Sequence, residues 1–198
     1  MKRLFYLLIT IILLNSCTEQ SIETFPTFSE NGHINVIIEI PSGTNRKVEY
    51  DYASKTFAVE EINGKERVID FLGYPGNYGF VPQTRLTKSK GGDGDAFDAI
   101  VIGASLPTSS IIEVIPLGIL MLNDNGETDH KLICIPAKVK YQTIKAKTLS
   151  DLKFDYPAIP GILEIWFENY KGFGRANTLG WLDEQKAIEE IKKWAKES

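Results

Sequence analysis

The apolar positions of this chain follow a short period through most of its length and a helical one only near the end. Ile34 to Ile40 alternates partly and stops at Pro41, which predicts a strand. Arg46 to Tyr52 and Thr56 to Glu61 place apolar residues between charged ones at strand spacing. Asn63-Gly64 predicts a turn ahead of another strand from Arg67 to Leu72. Asp98 to Gly103, Ile111 to Leu122 and His130 to Pro136 are further strand-like apolar runs. Pro116 lies inside the second of them and implies an edge, a bulge or a break, because proline cannot donate to a ladder. Pro160 to Tyr170 sets Ile162, Leu163, Ile165, Trp166 and Phe167 at helical spacing, with Gly172 just beyond. Asp183 to Lys196 does the same with Ala187, Ile188, Ile191 and Trp194, and Asp183 suits the N-cap. Strands followed by two helices predict a mainly β fold with α, a compact barrel or sandwich carrying its helices outside.

The first residues have a different pattern. Lys2 and Arg3 precede an apolar run from Leu4 to Leu14, which is too short to span a bilayer as a helix. Leu14-Asn15-Ser16-Cys17 resembles a bacterial lipobox, in which the cysteine is acylated. The expectation is a signal peptide over 1–16, lipidation at Cys17, a polar tether over 17–32 and one folded domain over 33–198. That address places the protein outside the cytoplasm, lipid-anchored to a bacterial cell membrane on the periplasmic side or at the outer membrane.

Length and charge narrow the possibilities further. The 198 residues suffice for one well-buried domain. The formal charge is −4, and −6 once Lys2 and Arg3 are set aside. An acidic chain is a poor general binder of nucleic acid, where affinity rests on neutralising phosphates. Cys17 and Cys134 lie in such different contexts that no disulfide is expected, and Cys134 in an apolar run is a core thiol.

The chemistry concentrates in Gly91-Gly92-Asp93-Gly94-Asp95-Ala96-Phe97-Asp98, where three carboxylates fall within six residues. Their mutual repulsion favours bound cations. An EF-hand is excluded, since its glycine position holds Asp98 and its final glutamate position holds Ala104. A second acidic stretch, Asp124 to Lys131, centres on an Asn-Gly turn and puts Asp129 and Lys131 on one strand face, with His130 turned away. Glu39, Lys47, Glu49, Asn77-Tyr78-Gly79 and Tyr170-Lys171 add acids, bases and phenols. Acids alone suggest calcium and bases alone suggest phosphate. The mixture suggests a phosphoanhydride or ester held through bridging Mg²⁺.

In order, Ile38-Glu39-Ile40-Pro41, Lys47-Val48-Glu49, Arg67, Tyr74-Pro75-Gly76-Asn77-Tyr78-Gly79, Asp93 to Asp98, Asp124 to Lys131 and Tyr170-Lys171 resemble the soluble inorganic pyrophosphatases of the first family. The resemblance runs from about Ile34 to Tyr170. It implies a five-stranded OB-like barrel with flanking helices, hydrolysis of diphosphate, several Mg²⁺ ions per site with Mn²⁺ as a substitute, and self-association. By resemblance, Asp93, Asp98, Asp124, Asp129 and Glu39 are metal ligands and Asp95 is the general base. Lys47, Arg67, Tyr78, Lys131, Tyr170 and Lys171 bind diphosphate or phosphate, with Glu49 acting through a hydrogen bond or metal-bound water. The chain departs from the family pattern at Ala96, where Pro or Glu is usual, and at Asn125, where bacterial relatives often carry an acid. The spacings from Glu39 to Lys47 and from Arg67 to Tyr74 are each one residue short, and Arg175 is the only candidate for a further family cation. The competing reading is an exported metal–phosphate or polyphosphate binder without turnover, which would have no use for Asp95.

Overall fold

The computed structural model describes residues 21–92, 94–172 and 174–195. Its strands are β1 (Ile34–Ile40), β2 (Val48–Asp51), β3 (Thr56–Val59), β4 (Glu61–Ile62), β5 (Lys65–Glu66), β6 (Asn77–Val81), β7 (Phe97–Val101), β8 (Ile111–Asp124), β9 (Glu127–Thr128), β10 (Lys131–Pro136) and β11 (Ala176–Asp183). The helices are α1 (Leu149–Asp155), α2 (Ala158–Asn169) and α3 (Glu184–Trp194).

The main sheet closes on itself. β1 pairs with β6, β6 with β7, β7 with β10, β10 with β8, and the start of β8 returns to β1. Of these five pairings β7–β10 is the parallel one. The five-stranded ring is not a clean cylinder, because the 14-residue β8 outruns it and its second half also pairs with β11. Pro116 takes the bulge option: the β8–β10 register shifts there, Ile133 facing Gly118 and Cys134 facing Pro116.

Side-chain alternation divides the ring strands between two cores. Ile34, Val36 and Ile38 of β1, Phe97, Ala99 and Val101 of β7, and Leu132 and Cys134 of β10 meet Ala187, Ile191 and Trp194 of α3. The alternate residues Ile100, Ile133 and Ile135, joined by Ile40 where the β1 register shifts after Ile38, meet Leu149 and Leu152 of α1 and Leu163, Trp166 and Phe167 of α2. Both faces are covered, which is why all seven residues of β1 are buried. Gly79 lets β6 approach β1 closely, since a Cβ there would lie 1.9 Å from the Ile37 carbonyl oxygen. Asn77 is structural: its amide oxygen accepts from Ser42 and Leu106 N–H, and its amide nitrogen donates to the Val101 and Ala104 carbonyls.

Several expectations need correction. Arg67 to Leu72 is not a strand. Its backbone bonds go to loops, with Arg67 N–H donating to Glu60 and Ile69 N–H to Asn45, and the Asn63-Gly64 turn joins only β4 and β5. Among the described residues there are three α-helices rather than two. α1 is one short segment held by a capping box between Thr148 and Asp151. β11 has no clear alternation of its own and exists through its pairing with β8. The segment expected as a tether, in its described part 21–32, lies along the ring: Thr27 is buried, its hydroxyl donates to the Pro82 carbonyl, and Ile22 and Phe25 pack against Ile37, Tyr50 and Phe80. Cys17 and the signal segment lie outside the described residues.

Candidate active site

The face of β6, β7 and β10 that packs against α1 and α2 becomes polar toward one end. Asp98 lies two residues before Ile100 on β7 and Lys131 two residues before Ile133 on β10, while Tyr78 of β6, opposite Ile100, extends its hydroxyl to Asp98. A cleft of about 640 Å³ opens at this end. Its walls include Glu39, Lys47, Glu49, Arg67, Tyr78, Asp95, Asp98, Asp124, Asp129, Lys131, Tyr170 and Lys171. These come from β1, from β2 and the residue before it, from the loop after β5, from β6, β7 and the loop before it, from the end of β8, from β10 and the segment leading into it, and from the end of α2. The sequence candidates therefore converge on one place, apart from Asp93, which lies outside the described residues. Arg175 does not line the cleft, and the His130 ring contacts the Leu122 backbone instead.

Lys131 organises the floor. Its ammonium is almost fully buried, 2.5 Å from Asp98 and ion-paired with Asp129. The Tyr78 hydroxyl donates to the same Asp98 oxygen at 2.5 Å. Burial pushes the Asp98 carboxyl up, but Lys131 and Lys47, with the two hydrogen bonds, outweigh it and hold Asp98 below the usual carboxylate range. Lys131 in turn stays charged: burial opposes its proton, and Asp129 and Asp98 hold it more strongly.

Lys47 pairs with Glu49 at 2.9 Å and lies 4.9 Å from the centre of the Tyr78 ring. Glu39 accepts the Tyr50 N–H at 2.9 Å, and burial pushes its carboxyl up to about 8 against the pull of Lys47. Arg67 is held by Glu60 at 2.7 Å, and Lys171 pairs with Asp124. Tyr170 ends α2 and stacks on Trp166, with ring centres 4.4 Å apart. The Tyr74 hydroxyl is buried with no hydrogen-bond partner among the described residues, and burial pushes its pKa up against the pull of Lys47 and Arg67. Asp95 sits at the exposed rim. Partial burial, then Asp98 and Glu49, raise its carboxyl pKa.

The cleft also contains residues that the sequence did not single out: Tyr50, Tyr52, Thr84, Arg85 and Glu127. Tyr50 and Tyr52 lie at strand spacing beside Glu49, a signal that could have placed them. Arg85 is brought in only by the fold.

Among the described residues no three of His, Cys, Asp and Glu stand close enough to hold a metal ion by themselves. The oxygen-only donors nevertheless fit a hard divalent cation that takes few protein ligands and shares oxygens with a phosphate substrate. Asp98 and Asp129 on the floor already have Lys131 beside them, and the buried Tyr74 hydroxyl has no partner among the described residues. A cleft so built accepts a highly charged anion together with cations.

Comparison with known proteins gives the class a family. Residues 36–198 match the family model "Inorganic pyrophosphatase". The chain is 32% identical over 177 residues to an inorganic pyrophosphatase of Neisseria meningitidis serogroup B, covering 85% of this chain and 93% of that one. It is 35% identical over 162 residues to an inorganic pyrophosphatase of Synechocystis sp., covering 80% and 87%. The crystal structure of an inorganic pyrophosphatase from Neisseria gonorrhoeae superposes with a TM-score of 0.71 at 28% identity, over 88% of this chain and 96% of that one. This chain belongs to the inorganic pyrophosphatase family.

Proposed function

We propose that this protein hydrolyses inorganic diphosphate to two phosphates by direct attack of water, with no covalent intermediate. The observation that carries the reading is the interleaving, in one cleft of a family member, of Asp98, Asp129 and Asp124 with Lys131, Lys47, Arg67 and Lys171. Carboxylates alone would repel a diphosphate, and cations alone would leave nothing to accept a proton.

Each residue then has a task. Lys47, Arg67, Lys131 and Lys171, with Tyr78 and Tyr170, hold phosphate oxygens and counter the charge that develops on the leaving phosphate. Lys131 is fixed by two carboxylates and needs no reorganisation during the reaction. Glu49 positions Lys47. Asp95, with its raised pKa and rim position, accepts the proton of the attacking water. Asp93, Asp98, Asp124 and Asp129, with Glu39 nearby, would hold Mg²⁺, or Mn²⁺ in its place. The metal would supply positive charge and acidify water at neutral pH.

The test is phosphate release from diphosphate by the purified protein. Release that stops on chelation and returns with Mg²⁺ is expected. Folded protein that releases no phosphate with Mg²⁺ or Mn²⁺ would leave metal–phosphate binding without turnover as the reading.

The N-terminal pattern supports export and lipid attachment at Cys17, which would put diphosphate hydrolysis outside the cytoplasm in the service of phosphate recovery. Cys17→Ala is expected to abolish incorporation of labelled fatty acid, and incorporation that persists would discard the anchor. Self-association, implied by the family, is checked by light scattering on the purified chain.

A further inference from the structure

We infer that Arg85 is a positioning residue for the loop that presents Asp95; the inference rests on the hydrolytic reading above. The loop from Gly91 to Ala96 is poorly restrained by its own sequence. Gly94 has φ +100 and lies next to Asp95. Alanine at 96 supplies none of the backbone restriction that proline would. Precision has to come from outside the loop.

The segment Thr84 to Leu86 supplies it. Gly94 N–H donates to the Leu86 carbonyl at 2.7 Å, and Leu86 N–H donates back to the Asp95 carbonyl at 2.8 Å. Phe97 N–H donates to the Thr84 hydroxyl at 2.8 Å. The Arg85 side chain completes the set, its Nε donating to the Gly94 carbonyl at 3.1 Å. This clamp has a firm base: Arg85 N–H donates to the Trp194 carbonyl at the end of α3, and Thr84 bridges to Ala195. On its other side the loop is tied to the β8–β9 hairpin, with Thr128 N–H donating to the Gly91 carbonyl.

Of these ties to Gly94–Phe97, Arg85 alone donates from an exposed side chain that belongs to neither core. Its loss leaves the backbone pairing and the fold intact but frees the carbonyl preceding Asp95. A base displaced by a fraction of an ångström slows proton removal while the residues that bind phosphate stay in place.

The test combines Arg85→Ala and Arg85→Lys with two readouts. Steady-state hydrolysis of diphosphate should show kcat falling about tenfold in Arg85→Ala with KM changed less than twofold, and most of the loss restored in Arg85→Lys, which can still donate to Gly94. Amide hydrogen exchange should be about tenfold faster over 92–97 in Arg85→Ala, close to wild type in Arg85→Lys, and unchanged over β7 and β10. A rise in KM at constant kcat would make Arg85 a substrate contact and overturn the inference, as would unchanged exchange over 92–97. If the wild type releases no phosphate, the hydrolytic reading fails while the exchange measurement still decides whether Arg85 holds the loop.

Discussion

The floor and the rim of the cleft shift the pKa values of two aspartates three residues apart in opposite directions. Asp98 lies on β7, with Lys131 and the Tyr78 hydroxyl both 2.5 Å away, and is held ionised in spite of its burial. Asp95 lies on the loop before that strand, where partial burial and the negative charges of Asp98 and Glu49 outweigh the pull of Lys47 and Lys88 and raise its pKa. Lys131 thus tips the balance toward charge at Asp98, whereas at Asp95 burial and neighbouring carboxylates tip it toward a proton. The difference separates a group that holds charge from one that can take up a proton.

Changes on either side of that divide should have unequal consequences. Asp95→Asn should lower kcat about 10² to 10⁴-fold with the thermal unfolding midpoint changed little, because Asp95 is exposed and asparagine keeps its shape. A variant within twofold of wild-type kcat would remove Asp95 as the base. Lys131→Met should have the largest effect on stability. It leaves Asp98 and Asp129 without their shared cation, which should cost about 3 kcal/mol in urea unfolding as well as activity. Part of that stability should return on adding Mg²⁺, through binding to the folded state alone. Tyr78→Phe removes one hydrogen bond to a charged group and should cost about 2 kcal/mol, while raising the pKa of Asp98.

The smallest effect is expected outside both regions. Glu168 on α2 accepts the hydroxyl and N–H of Thr178 on β11, bonds that lower its carboxyl pKa from 4.5. A lowered folded pKa gives stability that is present above pH 4.5 and lost as pH falls through the folded value. Thr178→Val should therefore lower stability slightly at neutral pH and leave it nearly unchanged below the folded pKa, flattening the acid limb of the profile in urea unfolding followed across pH.

Much of the ring was legible along the chain. β1, β7, β8 and β10 carry their own apolar patterns, and Pro116 foretold an irregularity that took the form of a bulge. The late helices were legible too, including the Asp183 cap, whose side chain accepts the Lys186 N–H. β6 was visible only as a motif of Tyr, Gly and Asn, because two of its residues serve close packing and a buried hydrogen-bond hub. β11 was hidden, since its strand character comes from β8. The Thr148 and Asp151 capping box was present in the sequence and marks α1, whose two buried leucines are too few to set up a helical period.

The sequence by itself determined which chemistry the cleft could hold. Its aspartates, lysines and tyrosines, in their order, specify a charged phosphate substrate and hard cations, because those properties belong to the side chains. Only the tertiary structure decided how the charges are shared. Burial of Lys131 between Asp98 and Asp129, the desolvation of Glu39, and the seating of Arg85 against Gly94 depend on strands and loops far apart in the chain. Local dielectric and distance set the state of each group, and both exist only once the ring has closed.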